Sequence, residues 1–406
     1  MRHKINTLLP GPKATKIINI IKEISYDSTF TYPLVIASGR NCIIKDIDGN
    51  AFLDFTSNIG TCPLGYSHSE IIEVLKEYSK NGIHKIAGQD FYCEEHAKIA
   101  QKVASIVPKN FKTFFINSGA EAVENAIKIA YKKMGPLPGV SCTNAFHGRT
   151  LGALSFTFSK PIQKANFPEL PVKKIKFCIN DNDVEIDSIE RLLRENKIAF
   201  ILSEVIQGEG GCNVASKQFI KNLREFANQY GVPLILDEVQ SGMGRTGKWW
   251  AFEHYEVKPN IMSIAKALQV GVTAYDKIFD PVERGVLSST WGAGSRIDMA
   301  VGTKIIDVIN HDRLLSNATI RGDTLKKGLK EMVGKKGIID VRGIGLMIGI
   351  EFDTIERRDN KLIELFKKGL LLLSAGQKTM RVMPPLTIGE EEVQKALVIM
   401  NEVLSL

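Results

Sequence analysis

Apolar positions in the middle of the 406-residue chain alternate between two patterns. Short unbroken runs read as strands: 113–116 (TFFI), 200–206 (FILSEVI), 232–236 (VPLIL) and 260–264 (NIMSI). Between them, apolar residues recur at helical spacing. Val123, Ala126, Ile127, Ala130, Tyr131 and Met134 form one such stripe, opened by Ser118 and stopped by Gly135 and Pro136. Phe219, Ile220, Leu223, Phe226, Ala227 and Tyr230 form another. Strand–helix alternation predicts βαβ units and a largely parallel sheet, with ligands expected just beyond the carboxyl ends of the strands. The residues standing there are Asn117 and Ser118, Glu204 and Gln207, the stretch 237–240, and Lys266.

The last hundred residues differ in texture. Helices are expected at 299–309, 318–332 and 360–369, with VRGIGLMIGIEF between them and a strand-like RVMPPLTI after them. A hairpin-like piece at 35–55 turns at Asp48-Gly49. The expected division is an N-terminal segment 1–55 packing with a small C-terminal domain 300–406, and a large domain 56–299.

Composition narrows the class. Hydrophobic residues at 44% and charged residues at 24% are those of a well-packed globular chain. No apolar run approaches the roughly 18 residues of a membrane span, and the N-terminus lacks the apolar block of a signal peptide, so a cytoplasmic protein is expected, with no membrane partner. The six cysteines stand singly, without zinc-ligand spacing, and read as reduced small hydrophobes, with no metal site expected. The net charge of +8 is spread along the chain with no aromatic-interleaved basic tract, so no nucleic-acid partner is expected.

The most conspicuous glycine pattern, Gly242-Met-Gly-Arg-Thr-Gly-Lys248, imitates a P-loop. Trp249 occupies the place of the magnesium-binding hydroxyl, and the Walker-B-like LILDE lies immediately before the glycines instead of on a separate strand. The stretch is therefore expected to be a flexible surface loop. A better anion site is Asn117-Ser-Gly-Ala-Glu121, where a strand meets a helix N-terminus, although Ser118 and Glu121 also make a capping box that needs no ligand. Asp237 and Lys266 each end an apolar strand, a costly place for a charge unless something opposite meets it. A mutual salt bridge would satisfy both. A pyridoxal phosphate site would use all three features: the lysine as Schiff base, the acid on the pyridine nitrogen, the helix N-terminus on the phosphate.

These residues resemble the class III (omega-amino acid) pyridoxal-phosphate aminotransferases, and among them the 4-aminobutyrate type, over about 11–386. The likeness rests on INSGAEAVENAIKIA (116–130), AFHGRT (145–150), SEVIQGEGG (203–211), LILDEVQSGMGRTGKWWAFEHY (234–255), IAKAL (264–268) and RVMPPL (381–386). It implies a fold-type I α/β architecture, a large mostly parallel sheet domain beside a smaller α/β domain. It also implies roles. Ser118, Gly119 and Ala120 would bind the cofactor phosphate, and Phe146 and Val239 would sandwich its ring. Asp237 would pair with the ring nitrogen, Gln240 with the ring hydroxyl, and Lys266 would carry the Schiff base. Thr290 would reach the phosphate of a neighbouring subunit, which implies a homodimer with shared sites. Arg381 would receive the substrate α-carboxylate, Glu204 would neutralise that arginine when a terminal amine is bound, and Arg149 would meet a distal carboxylate. His147, Trp249 and Trp250 read as packing.

The implied reaction moves the terminal amine of an omega-amino acid to 2-oxoglutarate. With 4-aminobutyrate, the first expected donor, the products are succinate semialdehyde and glutamate. ALQVGV after Lys266 and SSTWGAGSRIDM at 288–299 depart from the 4-aminobutyrate pattern toward lysine 6-aminotransferases. Lysine is thus the second expected donor, ornithine or acetylornithine the third. A racemase or aminomutase would need the same cofactor contacts, and a nucleotide-binding protein using 242–248 is the alternative from another class.

Overall fold

The helix opened by Ser118 runs Gly119–Met134, with the Ser118 hydroxyl accepting from the Glu121 N–H and Gly135 closing the other end at φ 82°. Its apolar stripe of Val123, Ala126, Ile127 and Ala130 packs with Phe200, Leu202, Ile235 and Ile261, all fully buried. The computed structural model describes residues 3–27, 30–80, 84–86, 90–183, 186–195, 197–288 and 295–405. The chain divides into two units, Met1–Ser69 with Ser316–Leu406, and Glu70–Leu315.

The first unit begins with strands β1 (Ile36–Arg40), β2 (Ile43–Asp46) and β3 (Ala51–Asp54), an antiparallel meander. The Asp48-Gly49 turn between β2 and β3 has a second use: the Asp48 carboxylate accepts the N–H groups of Lys13 and Ala14, capping the helix Pro12–Ile24.

The larger unit holds β4 (Phe111–Ile116), β5 (Gly139–Cys142), β6 (Val172–Ile175) and β7 (Phe200–Glu204). After a two-residue pair, β8 (Ile206–Gln207) and β9 (Asn213–Val214), come β10 (Leu234–Asp237), β11 (Ile261–Ile264) and β12 (Gly271–Asp276). Seven of these form one sheet in the order β4-β12-β11-β10-β7-β5-β6. Pairing is parallel from β11 through β6, and β12 alone runs antiparallel to both its neighbours. Every residue of β7, β10 and β11 is buried, as expected for strands covered on both faces. In register, Asp237 lies beside Glu204 on one side and Ser263 on the other.

The C-terminal part returns to the first unit with β13 (Ile338–Ile344), β14 (Met347–Phe352), β15 (Leu370–Leu371), β16 (Leu373–Ala375) and β17 (Thr379–Val382). β15 joins β3 in parallel, extending the N-terminal meander, and the other four make a second sheet. The strand expected through RVMPPLTI stops at Val382, where the two prolines that follow cannot donate to a ladder. Among the described residues no helix is long and apolar enough to cross a membrane.

One expectation is overturned. The glycine-rich stretch 242–248 is not a surface loop: Met243, Arg245 and Thr246 are almost fully buried. Trp250 is fully buried and its indole N–H donates to the Ile106 carbonyl, while the buried Glu238 carboxylate accepts from the Phe252 N–H and the Ser241 hydroxyl. These contacts draw the loop inward. Burial pushes the Arg245 guanidinium pKa down to about 10, which still leaves it charged at neutral pH.

Candidate active site

The carboxyl ends of β7, β10 and β11 and the start of the helix Gly119–Met134 surround a cavity of about 330 Å³. Lys266, Asp237 and Gly119 all line it. Lys266 follows β11 with φ 51°, a left-handed conformation that is costly for a residue with a side chain and that concentrates at functional positions. It opens a single 3₁₀ turn closed by the Gln269 N–H on its carbonyl.

Asp237 is buried at the end of β10. One oxygen accepts the Val239 N–H at 3.0 Å, and the other lies 2.8 Å from Nδ1 of His147. The His147 side chain has no exposed surface, its backbone N–H donates to Thr157 Oγ1, and its Nε2 has no hydrogen-bond partner among the described residues. An acidic group ending an apolar strand has thus found a polar neighbour in the cavity lining.

Glu204, beside Asp237, is also buried. Its Oε2 accepts the Phe146 N–H and its Oε1 the Gly208 N–H, each at 3.0 Å. Burial raises its pKa to about 7, and the negative charge of Asp237 adds to the rise against the opposing pull of His147 and the two amides. A third carboxylate, Glu209, stands half-buried on the cavity wall. Sequence reasoning passed over it; the signal was the second acid of SEVIQGEGG.

At the helix N-terminus, Ser118 and Glu121 form the expected cap, and the Glu121 carboxylate also accepts the Asn117 N–H at 2.9 Å. Gly119 and Ala120 face the cavity, whereas Ser118 is not among its lining residues. A Cβ on Gly119 would meet Val239 Cγ1 at 2.7 Å, so glycine is what lets the Val239 side chain close that wall. Val239 and Gln240 are half-buried lining residues, as is Phe146. Arg149 lines the cavity while remaining exposed, its guanidinium carbon 6.0 Å from the centroid of the Phe146 ring. Arg381 is buried on β17 of the other unit, opposite Gly349 of β14. Thr290 lies outside the described residues.

Residues 25–404 match the family described as Aminotransferase class-III. The chain belongs to the class-III aminotransferases. It is 34% identical to an acetylornithine aminotransferase of Caldanaerobacter subterraneus, over 96% of this chain and 99% of that one. It is 33% identical to a 5-aminovalerate aminotransferase of Pseudomonas aeruginosa, over 91% and 93%. A lysine aminotransferase from M. tuberculosis, solved in its internal aldimine form, superposes with a TM-score of 0.89 at 27% identity, over 96% and 99%.

The cofactor of this class-III aminotransferase is pyridoxal 5'-phosphate. The cavity has the chemistry to receive it. Backbone N–H groups at a helix N-terminus suit a dianionic phosphate, a buried carboxylate braced by an imidazole suits a ring N–H, and a lysine stands ready for an aldehyde. When bound, the cofactor supplies an electron-withdrawing ring for the carbon that loses its proton.

Proposed function

We propose that this class-III aminotransferase takes the terminal amine of an omega-amino acid and passes it to 2-oxoglutarate, in two alternating half-reactions at one cavity. The carrying observation is that Lys266 and Asp237, from adjacent parallel strands, line one cavity with the helix N-terminus at Gly119. In this reading Gly119 and Ala120 hold the phosphate, with Ser118 fixing their turn by its cap. Phe146 and Val239 flank the ring, Gln240 meets its hydroxyl, and Asp237 keeps its nitrogen protonated. Lys266 binds the aldehyde and moves the proton. Arg149 takes a distal carboxylate, and Arg381 an α-carboxylate through two parallel hydrogen bonds.

For the donor, the relatives favour a chain of five or six carbons ending in an amine: N-acetylornithine first, with 5-aminovalerate and then the six-carbon lysine after it. 4-Aminobutyrate, first by motif, is one methylene shorter than 5-aminovalerate, and a methylene changes binding by about 1 kcal/mol, so some turnover with it is expected. The deciding experiment measures glutamate release from 2-oxoglutarate with each of these donors in parallel. A kcat/KM highest for N-acetylornithine supports the ranking, and one highest for 4-aminobutyrate reverses it. Product formation independent of 2-oxoglutarate would replace transamination by racemisation or internal amine transfer. The working form in this reading is a homodimer in which Thr290 serves the neighbouring subunit's phosphate, and sedimentation at working concentration tests the assembly.

A further inference from the structure

Glu204 was expected to bind substrate; it lines the cavity, yet each of its oxygens already accepts a main-chain amide, from two different loops. Phe146 belongs to the loop after β5, and Gly208 to the turn after β8 that carries Glu209. A buried carboxyl group whose two oxygens each accept a backbone N–H, at 3.0 Å, ties both donors to one point, and losing either bond leaves a buried amide unpaired. The same two loops are joined a second time, by the Gln207 side-chain amide on the Thr143 carbonyl at 2.6 Å. They also approach too closely for a side chain on Gly210, whose Cβ would stand 2.6 Å from the Asn144 carbonyl oxygen. Phe146 and Glu209, over sixty residues apart in the chain, thereby belong to one stitched part of the cavity lining.

We propose that Glu204 is a positioning residue that locks the Phe146 loop and the Glu209 turn into a single wall around the cofactor, and that it does not contact substrate. The proposal rests on the pyridoxal phosphate reading of the cavity.

The test compares wild type with Glu204→Gln. Glutamine keeps the size but presents one acceptor and one donor group, so one of the two amides loses its partner. Hydrogen exchange read by mass spectrometry should accelerate about tenfold in segments 143–148 and 206–211 together, and the dissociation constant for pyridoxal phosphate, followed by visible absorbance, should rise about tenfold. Exchange unchanged in either segment overturns the proposal. So does a raised substrate KM with unchanged cofactor affinity, which would place the carboxylate on the substrate. If the variant does not fold, the wild-type chain without cofactor decides: slow exchange at the Phe146 and Gly208 amides is required, and fast exchange refutes the brace. A wild-type chain that never acquires the visible band with pyridoxal phosphate faults the cofactor reading instead, while the exchange measurements still judge the brace.

Discussion

His147 and Asp237 meet at 2.8 Å in the cavity lining, with both side chains almost wholly shielded from water. In the proposed reading, the contact orients the carboxylate that would pair with the cofactor's ring nitrogen. His147→Ala leaves Asp237 with the Val239 amide as its remaining hydrogen bond and should lower kcat by about 10- to 100-fold, the worth of a hydrogen bond to a buried charge. His147→Asn, which keeps a donor, should recover part of the loss. Steady-state kinetics together with the pH dependence of the visible absorbance distinguishes this orienting effect from a general loss of folding.

Lys266→Ala should reduce turnover by several orders of magnitude while the phosphate cradle and Asp237 still retain cofactor. Borohydride reduction followed by peptide mapping should find the label on Lys266 in wild type and nowhere in the variant. A label elsewhere would move the covalent role to another lysine.

Arg381→Lys should impair the 2-oxoglutarate half-reaction more than the half-reaction with the terminal amine, because an ammonium cannot make the paired hydrogen bonds of a guanidinium. Single-turnover measurement of each half-reaction checks this. Equal losses in both would remove Arg381 from α-carboxylate recognition.

Glu204 and Glu238 both hold their protons up to about pH 7 in the folded chain, against an ordinary value of 4.5, chiefly because each is buried. Between those values the folded state binds more protons than the unfolded state, so stability falls as pH rises through this window. Glu95 contributes the other way: hydrogen bonds from Arg296 hold it at about 2, so its stabilisation is present above 4.5 and lost as pH falls toward 2. Calorimetry of the cofactor-free chain should therefore find a Tm that declines from pH 5 to 7.5, and Glu238→Gln should flatten that decline.

Much of the larger unit could be read locally. The strands β4, β7, β10 and β11 are apolar runs, and the helix Gly119–Met134 carries its own start and stop in Ser118 and Gly135. β5, β6 and β12 escaped because GVSC and VKKI are too short or too charged to signal a strand, and because GVTAYD owes its place to the neighbours it pairs with on both sides. The chemistry at strand ends pointed to Lys266, Asp237 and Gly119. The pairing of His147 with Asp237 joins positions ninety residues apart and leaves no local trace. The stretch 242–248 misled for a related reason: glycine content reports backbone turns, whereas burial was decided by Trp250 and Glu238.

The adjacency of β7, β10 and β11 carries a lasting consequence. Glu204, Asp237 and Ser263, three residues before Lys266, are spaced by the interstrand ladder, about 4.8 Å per step, which is a property of peptide groups common to all sequences. The spacing of Glu204, Asp237 and Ser263 is therefore set by main-chain geometry more than by the side chains that surround them, and substitutions elsewhere that leave the sheet intact leave these intervals unchanged.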